Sequence, residues 1–172
     1  MPILEQLSSR LIQEFKTVRL RALRDSPSAF GSTYGKESQL SDEDWLKRVT
    51  TWNSNGGVCY IGMDKSEPCG IIASFFDKAD PQKAHVASMW VAPAYRRTGL
   101  GTTLMDAVER WARGHGAVEL RLMVTSNNSV ATAFYQRLGY IFTGNTEPYP
   151  NDPALVEYEM VKYLRTLQDA GR

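Results

Sequence analysis

The sequence predicts a single α/β domain built on a mixed sheet with flanking helices, and three observations predict it. Val118, Leu120, Leu122 and Val124 alternate with Glu119, Arg121 and Met123, the period-two signature of a strand with one buried face. A second apolar run, Ala84 to Val91, precedes a segment that places Leu104, Val108 and Trp111 on one helical face. Strand, helix, strand in that order implies a right-handed crossover and a parallel pair. Between the first strand and the helix stands the basic glycine stretch Val91-Ala92-Pro93-Ala94-Tyr95-Arg96-Arg97-Thr98-Gly99-Leu100-Gly101.

The remaining elements follow from the N-terminus. Leu4, Leu7, Leu11, Phe15, Val18 and Ala22 recur at spacings of three and four, an apolar stripe on one helix. Asp25-Ser26-Pro27 ends it, because the residue before proline is pushed out of helical geometry. Ala29 to Tyr34 reads as a loop carrying aromatics suited to exposure. Ser41 reads as an N-cap with Asp44 as its capping-box partner, starting a helix to about Thr50. Asn53 to Gly57 is a turn cluster. Val58–Met63 and Gly70–Phe76, joined by a turn over Asp64–Pro68, form an antiparallel hairpin, and Asp77–Gln82 leads to the strand Ala84–Val91.

Past the glycine stretch, Gly114 and Gly116 end the long helix. Ser126–Ser129 precedes a further helix containing Ala131, Phe134, Tyr135 and Leu138, with Gly139 placed as its C-terminal glycine. Tyr140–Thr143 is a short strand, Leu155–Leu164 a longer one with a charged tail, and the proline-bearing Asn145–Pro153 an irregular loop. No repeat, linker or low-complexity segment divides residues 1–172.

Composition narrows the function classes. A formal charge of +1 argues against wholesale binding to nucleic acid or to an acidic membrane. Cys59 and Cys69, with only His85 and His115 to join them, make no metal-like cluster and read as small buried hydrophobes. The N-terminus lacks a basic region followed by a long apolar run, and no stretch is long enough to span a bilayer. A cytoplasmic enzyme or binding protein is expected.

The glycine stretch carries the chemistry. Glycines at 99 and 101 let a ligand approach the backbone, and successive N–H groups can converge on an anion at the positive end of the following helix. Arg96 and Arg97 would add charge-assisted hydrogen bonds to phosphate oxygens. The bland reading is a glycine turn into a helix with solvated arginines. No Gly-Lys-Ser/Thr ending makes it a Walker loop, and no full Gly-x-Gly-x-x-Gly makes it a dinucleotide loop.

A second constellation, Asn128-x-x-Ala131-x-x-x-Tyr135-x-x-x-Gly139-Tyr140, follows in the same order and spacing as in a known family. With Val91-x-Pro93…Arg96-x-x-Gly99-x-Gly101, the chain resembles the GNAT superfamily of acyl-CoA-dependent N-acyltransferases. The resemblance implies a twisted mixed sheet whose two central parallel strands, Ala84–Val91 and Val118–Val124, splay apart to admit acetyl-CoA. Backbone groups near Met89, Trp90 and Val91 would meet the pantetheine arm and the thioester. The amides of Arg96, Arg97, Thr98, Gly99, Leu100 and Gly101, with Thr102 beyond, would hold the pyrophosphate. Asn128 would bond the pantetheine arm, or serve as a helix cap. Tyr135 would sit near the sulfur and protonate the leaving thiolate.

The acceptor side stays open in the sequence. An attacking amine must lose a proton first. Strict alternation puts His85, Ala87, Met89 and Val91 on one face of their strand, and Val86, Ser88 and Trp90 on the other, with no carboxylate at the centre. His85, at the strand's start, reads as a surface histidine rather than a base, and Asp152, Glu157 and Glu159 are the candidates instead. By the resemblance, Phe30, Tyr34, Trp52, Tyr149 and Asp152 would wall a pocket for a small-molecule or protein amine. Only Pro2–Leu4 is available for the family's first strand, which bears on any homodimer built on that sheet edge. A non-catalytic acyl-CoA sensor on the same fold is the alternative function, and a different phosphate-binding domain the third.

Overall fold

The computed structural model describes residues 1–54 and 56–164. Asn55, within the Asn53–Gly57 turn, and the charged tail after Leu164 lie outside the described residues. The strands are β1 (Ile3–Gln6), β2 (Gly57–Asp64), β3 (Glu67–Phe76), β4 (Lys83–Val91), β5 (Glu119–Thr125), β6 (Ile141–Pro148) and β7 (Val156–Tyr163). The helices are α1 (Ile12–Asp25), α2 (Tyr34–Glu37), α3 (Asp42–Trp52), α4 (Leu100–Gly114) and α5 (Ser129–Arg137). One seven-stranded sheet runs in the order β1-β2-β3-β4-β5-β7-β6, with β4 and β5 parallel and the other neighbours antiparallel. The mixed sheet, the β2–β3 hairpin and the β4-α4-β5 crossover are those the sequence predicts.

Local chemistry sets several element ends. Ser41 Oγ accepts from the Asp44 amide while an Asp44 carboxylate oxygen accepts from the Ser41 amide, the reciprocal box that starts α3. At the end of α5, Gly139 adopts φ +96°, and the amides of Gly139 and Tyr140 donate to the carbonyls of Gln136 and Tyr135. That is a Schellman closure, which needs a left-handed residue at this position. The core lies on both faces of the sheet: Phe15, Val18, Ala22 and Trp45 are buried on the helical elements before β2, and Leu104, Met105 and Val108 on α4.

Four local expectations are corrected. Leu4 does not open a helix. It lies in β1, where Ile3–Gln6 pair with Tyr60–Met63, and Ser8 stays extended before a 3-10 turn over Ser9–Leu11. Ladder pairing overrides the helical spacing, while Leu7 and Leu11 are buried all the same. The first strand is therefore present. The segment before α2 buries Phe30 rather than exposing it. Strand β6 runs on to Pro148, because a register shift between Phe142 and Thr146, with Gly144 at φ +91°, resumes pairing with β7; a proline is tolerated at the end of an edge strand.

The fourth correction bears on the site. In the β3–β4 ladder, Ala73 faces Ala87 but Ile71 faces Trp90, so Ser88 and Met89 together oppose Ile72. This is a β-bulge, and Ser88 sits in it at φ +58°. The extra residue ends strict alternation. Trp90 shares a face with Ala87 and His85, whereas Val91, opposite Gly70, shares one with Val86, opposite Ser74.

Candidate active site

The two central strands part company soon after they meet. Their parallel ladder is confined to Lys83–Glu119, Ala84–Leu120 and His85–Arg121. Strand β5 then stays paired to β7 through Thr125, while β4 stays with β3 through the bulge. The edge of β4 from Val86 to Val91 thus has no strand partner on the β5 side among the described residues. A cleft of about 450 Å³ fills the gap. Its walls bring together Met89 beside the bulge, Asn128, Ala131 and Tyr135 from the start and body of α5, Phe30 and Ser32, Thr125, and Glu157 of β7.

Asn128 caps α5: its Oδ1 accepts from the Ala131 amide at 3.1 Å, and its Nδ2 has no partner among the described residues. Cap and pantetheine ligand are therefore compatible uses of different atoms. Tyr135 is held by edge contact with Tyr140, ring centroids 5.9 Å apart. Tyr140 in turn donates to Glu109 at 3.2 Å, and Lys162 bonds both oxygens of that carboxylate at 3.0 Å. Burial pushes the Tyr135 hydroxyl well above its ordinary pKa, so it stays protonated.

Of the candidate bases, Glu157 alone combines cleft position with a poised carboxyl: burial, and secondarily the nearby Glu147, raise its pKa. Glu159 faces burial as well, but hydrogen bonds from Thr143 and Asn145 and the Arg121 charge outweigh it and hold its carboxyl low. His85 reaches the cleft wall, yet its Nε2 lies 2.9 Å from Asp77 Oδ2 and its ring stacks on Phe75. Asp152 caps a local turn, its Oδ1 accepting from the Ala154 amide.

The glycine stretch adjoins the cleft without lining it. Arg97 (φ +63°) and Gly99 (φ +93°) are both left-handed, and Gly99 serves as N-cap of α4. The amides of Leu100, Gly101 and Thr102 are then the first of the helix, with no carbonyl within it to meet. Arg96 is already engaged. Its Nε donates to the Val91 carbonyl and its Nη2 to Asp25, whose same oxygen accepts from Trp90 Nε1 at 3.0 Å. Trp90 and Arg96 thus tie the loop to the end of α1; Arg96 and Arg97 are both exposed. Thr98 donates to the Tyr95 carbonyl. A Cβ on Gly101 would lie 3.2 Å from Phe134 Cζ and 3.4 Å from Met89 Cε, so this glycine also serves packing between loop, bulge and α5.

Among the aromatics and the carboxylate expected around an acceptor, Phe30 lines the cleft. Tyr149 acts on it from behind: buried, its hydroxyl donates to the Phe30 carbonyl at 2.6 Å. Tyr34 lies under the Arg24 guanidinium and Trp52 against Phe15, and neither lines the cleft itself. Sequence reasoning missed Arg19. Its side chain is buried at the cleft wall, donating through Nε and Nη2 to both Glu37 oxygens and through Nη1 to Ser88 Oγ, each at 3.0 Å. The available signal was its place on the apolar stripe, four residues after Phe15.

An unpaired strand edge, a cleft beside it, a free Asn128 amide group and unbonded helix-start amides suit a ligand with a peptide-like arm and a phosphate end, the build of acetyl-CoA. The comparisons agree. The acetyltransferase (GNAT) family profile matches residues 20–140. The uncharacterized N-acetyltransferase YdgE of Bacillus subtilis is 33% identical over 144 residues, 81% of this chain and 92% of that protein. The N-terminal acetyltransferase complex ARD1 subunit homolog of Leishmania donovani is 43% identical over 94 residues; the match spans 54% of this chain and only 50% of that relative. The crystal structure of a GNAT-family acetyltransferase from Streptococcus pneumoniae superposes with a TM-score of 0.79 at 18% identity, covering 96% of this chain and all of that one. That of the PaiA N-acetyltransferase of Thermoplasma acidophilum, solved with coenzyme A, gives 0.73 at 20% identity, covering 95% and 99%.

Proposed function

Since the chain belongs to the acetyltransferase (GNAT) family, whose acyl donor is acetyl-CoA, we propose that it transfers the acetyl group to a primary amine by direct attack on the thioester. The observation that carries this reading is the splayed cleft in which Tyr135 and Glu157 face one space beside the β4 bulge. The open edge of β4 and the Asn128 amide bind the pantetheine arm, and the amides from Arg96 to Thr102 bind the pyrophosphate. A backbone N–H at Met89 meets the thioester oxygen as negative charge develops there. Glu157, directly or through one water, takes a proton from the acceptor's ammonium so that the neutral amine can attack, and its raised pKa brings it nearer the working range of a base. Tyr135 gives its proton to the departing thiolate and regains one from the product nitrogen, which is left as a neutral amide. No covalent intermediate on the protein is required, and Cys59, buried and with its thiol pKa raised by that burial, has no part in it.

The acceptor is a small-molecule or protein amine. Glu157 on the cleft wall favours catalysis over the non-catalytic sensor. Calorimetric titration with acetyl-CoA, followed by thiol release over a panel of amines, tests the reading. Saturable binding with turnover by wild type, and turnover lost in Tyr135→Phe and Glu157→Gln with binding kept, is the expected result. Binding without turnover of any amine would leave the sensor, and no binding by the folded protein would overturn both.

A further inference from the structure

We infer that Arg19 is a positioning residue of the acetyl-transfer site: through Ser88 it fixes the β4 bulge and so aims the backbone amide that meets the thioester oxygen. The inference rests on the reading of the cleft as an acetyl-CoA site. Its observations are geometric. Ser88 is one of three non-glycine residues with positive φ among the described residues, at +58°. A serine pays for that conformation unless its surroundings enforce it. The neighbouring strand does not, because Ser88 and Met89 both lie outside the ladder register. The Arg19 Nη1–Ser88 Oγ bond at 3.0 Å is what holds this residue from the side.

Arg19 is itself held rigidly. Its guanidinium bonds both Glu37 oxygens, Arg48 bonds one of them from α3, and the rings of Phe30 and Trp52 lie 5.1 and 5.6 Å from its Cζ. Three helices therefore converge through one fork on one hydroxyl. A planar group with two N–H directions already committed to a carboxylate has little freedom left for the third. Lysine could reach Glu37 or Ser88 but could not hold both in this plane. The same guanidinium touches the Phe30 ring, so the bulge and the cleft-lining part of the 27–31 segment are set by one side chain.

The test needs no acceptor amine. Three variants separate the bond from the fold: Ser88→Ala removes the hydroxyl, Ser88→Gly removes it while relieving the positive φ, and Arg19→Lys keeps the charge. Thermal melts show which of them are folded. The first readout is the NMR order parameter of the Met89 amide in the ligand-free protein. It should fall in Ser88→Ala and in Arg19→Lys, with amides of β5 unchanged. The second is the infrared carbonyl stretch of bound acetyl-CoA labelled with carbon-13 at the carbonyl. Wild type should shift the band to lower frequency than in water, and all three Ser88 and Arg19 variants should lose most of that shift while binding CoA with affinity within threefold of wild type.

Folded variants that keep both the Met89 order parameter and the band shift would overturn the inference. Loss of the band shift in Ser88→Ala with recovery in Ser88→Gly would overturn it too, since backbone strain alone would then be responsible. If wild type itself fails to bind acetyl-CoA, the acetyl-transfer reading falls, and with it the catalytic meaning of the bulge. The Met89 order parameters in the free protein would still show whether Arg19 holds it, so the two failures are distinguishable.

Discussion

Burial raises the proton affinity of both Tyr135 and Glu157, and the same shift means different things in the two groups. For Tyr135 it keeps the hydroxyl protonated at rest near neutrality, as the proposed donor must be. Tyr135→Phe should therefore lower kcat by about 10²-fold, the usual share of a general acid, with the Kd for acetyl-CoA unchanged. For Glu157 the raised pKa moves the acidic limb of kcat/KM above the ordinary carboxylate value of 4.5, and Glu157→Gln should abolish that limb. The stability sign follows. A carboxyl whose folded pKa is raised contributes stability that is fully present below its unfolded value and lost as pH rises through the folded one. Denaturant unfolding across that window should show a fall for wild type that Glu157→Gln lacks.

At the scale of elements, the loop between β4 and α4 works as a braced turn. Gly99 has φ +93° with open space around its missing Cβ, so Gly99→Ala meets no clash and costs backbone strain of about 1 kcal/mol. Gly101→Val is different, because its side chain would meet Phe134 and Met89 and disturb packing as well as ligand approach. Arg96 gives a sharper test. If it acts by tying the loop to α1, Arg96→Ala and Asp25→Ala should weaken acetyl-CoA binding by similar amounts, about 1–2 kcal/mol in calorimetry. A direct phosphate ligand would instead lose affinity in Arg96→Ala alone. At α3, Ser41→Ala should cost about 1 kcal/mol of stability through the broken capping box.

Across the whole molecule, the buried Arg19–Glu37 pair, with the half-buried Arg48 on Glu37 and Ser88 on Arg19, joins α1, α2 and α3 to the sheet. Such a group is weak evidence of net stability, since burying charge offsets much of the attraction. Breaking it is another matter. Glu37→Ala leaves a buried guanidinium unpaired and should destabilise the protein by about 3–5 kcal/mol in urea unfolding. The same group explains why the cleft, the bulge and the Phe30 segment form one unit: each touches Arg19 or the residue it bonds.

The sequence by itself determined what short-range chemistry controls. The left-handed Gly99 and Gly139, the Ser41 box, the Asn128 cap, the β2–β3 hairpin and the alternation of β5 are each settled within a few residues, and each was legible there. The family signatures are of the same kind, two local segments whose order and spacing survive in the string. Only the tertiary structure decided the rest. Ile3–Gln6 forms a strand because residues 60–63 offer a ladder, and β6 continues through Gly144 because β7 does. The bulge at Ser88 follows from its register with β3 and its bond to a side chain 69 positions earlier. Glu157 among three rival carboxylates, and Arg19 among many surface arginines, were picked out by what surrounds them. The desolvation and pairing that shift a proton or fix a backbone depend on distance in space, which periodicity along a chain does not encode.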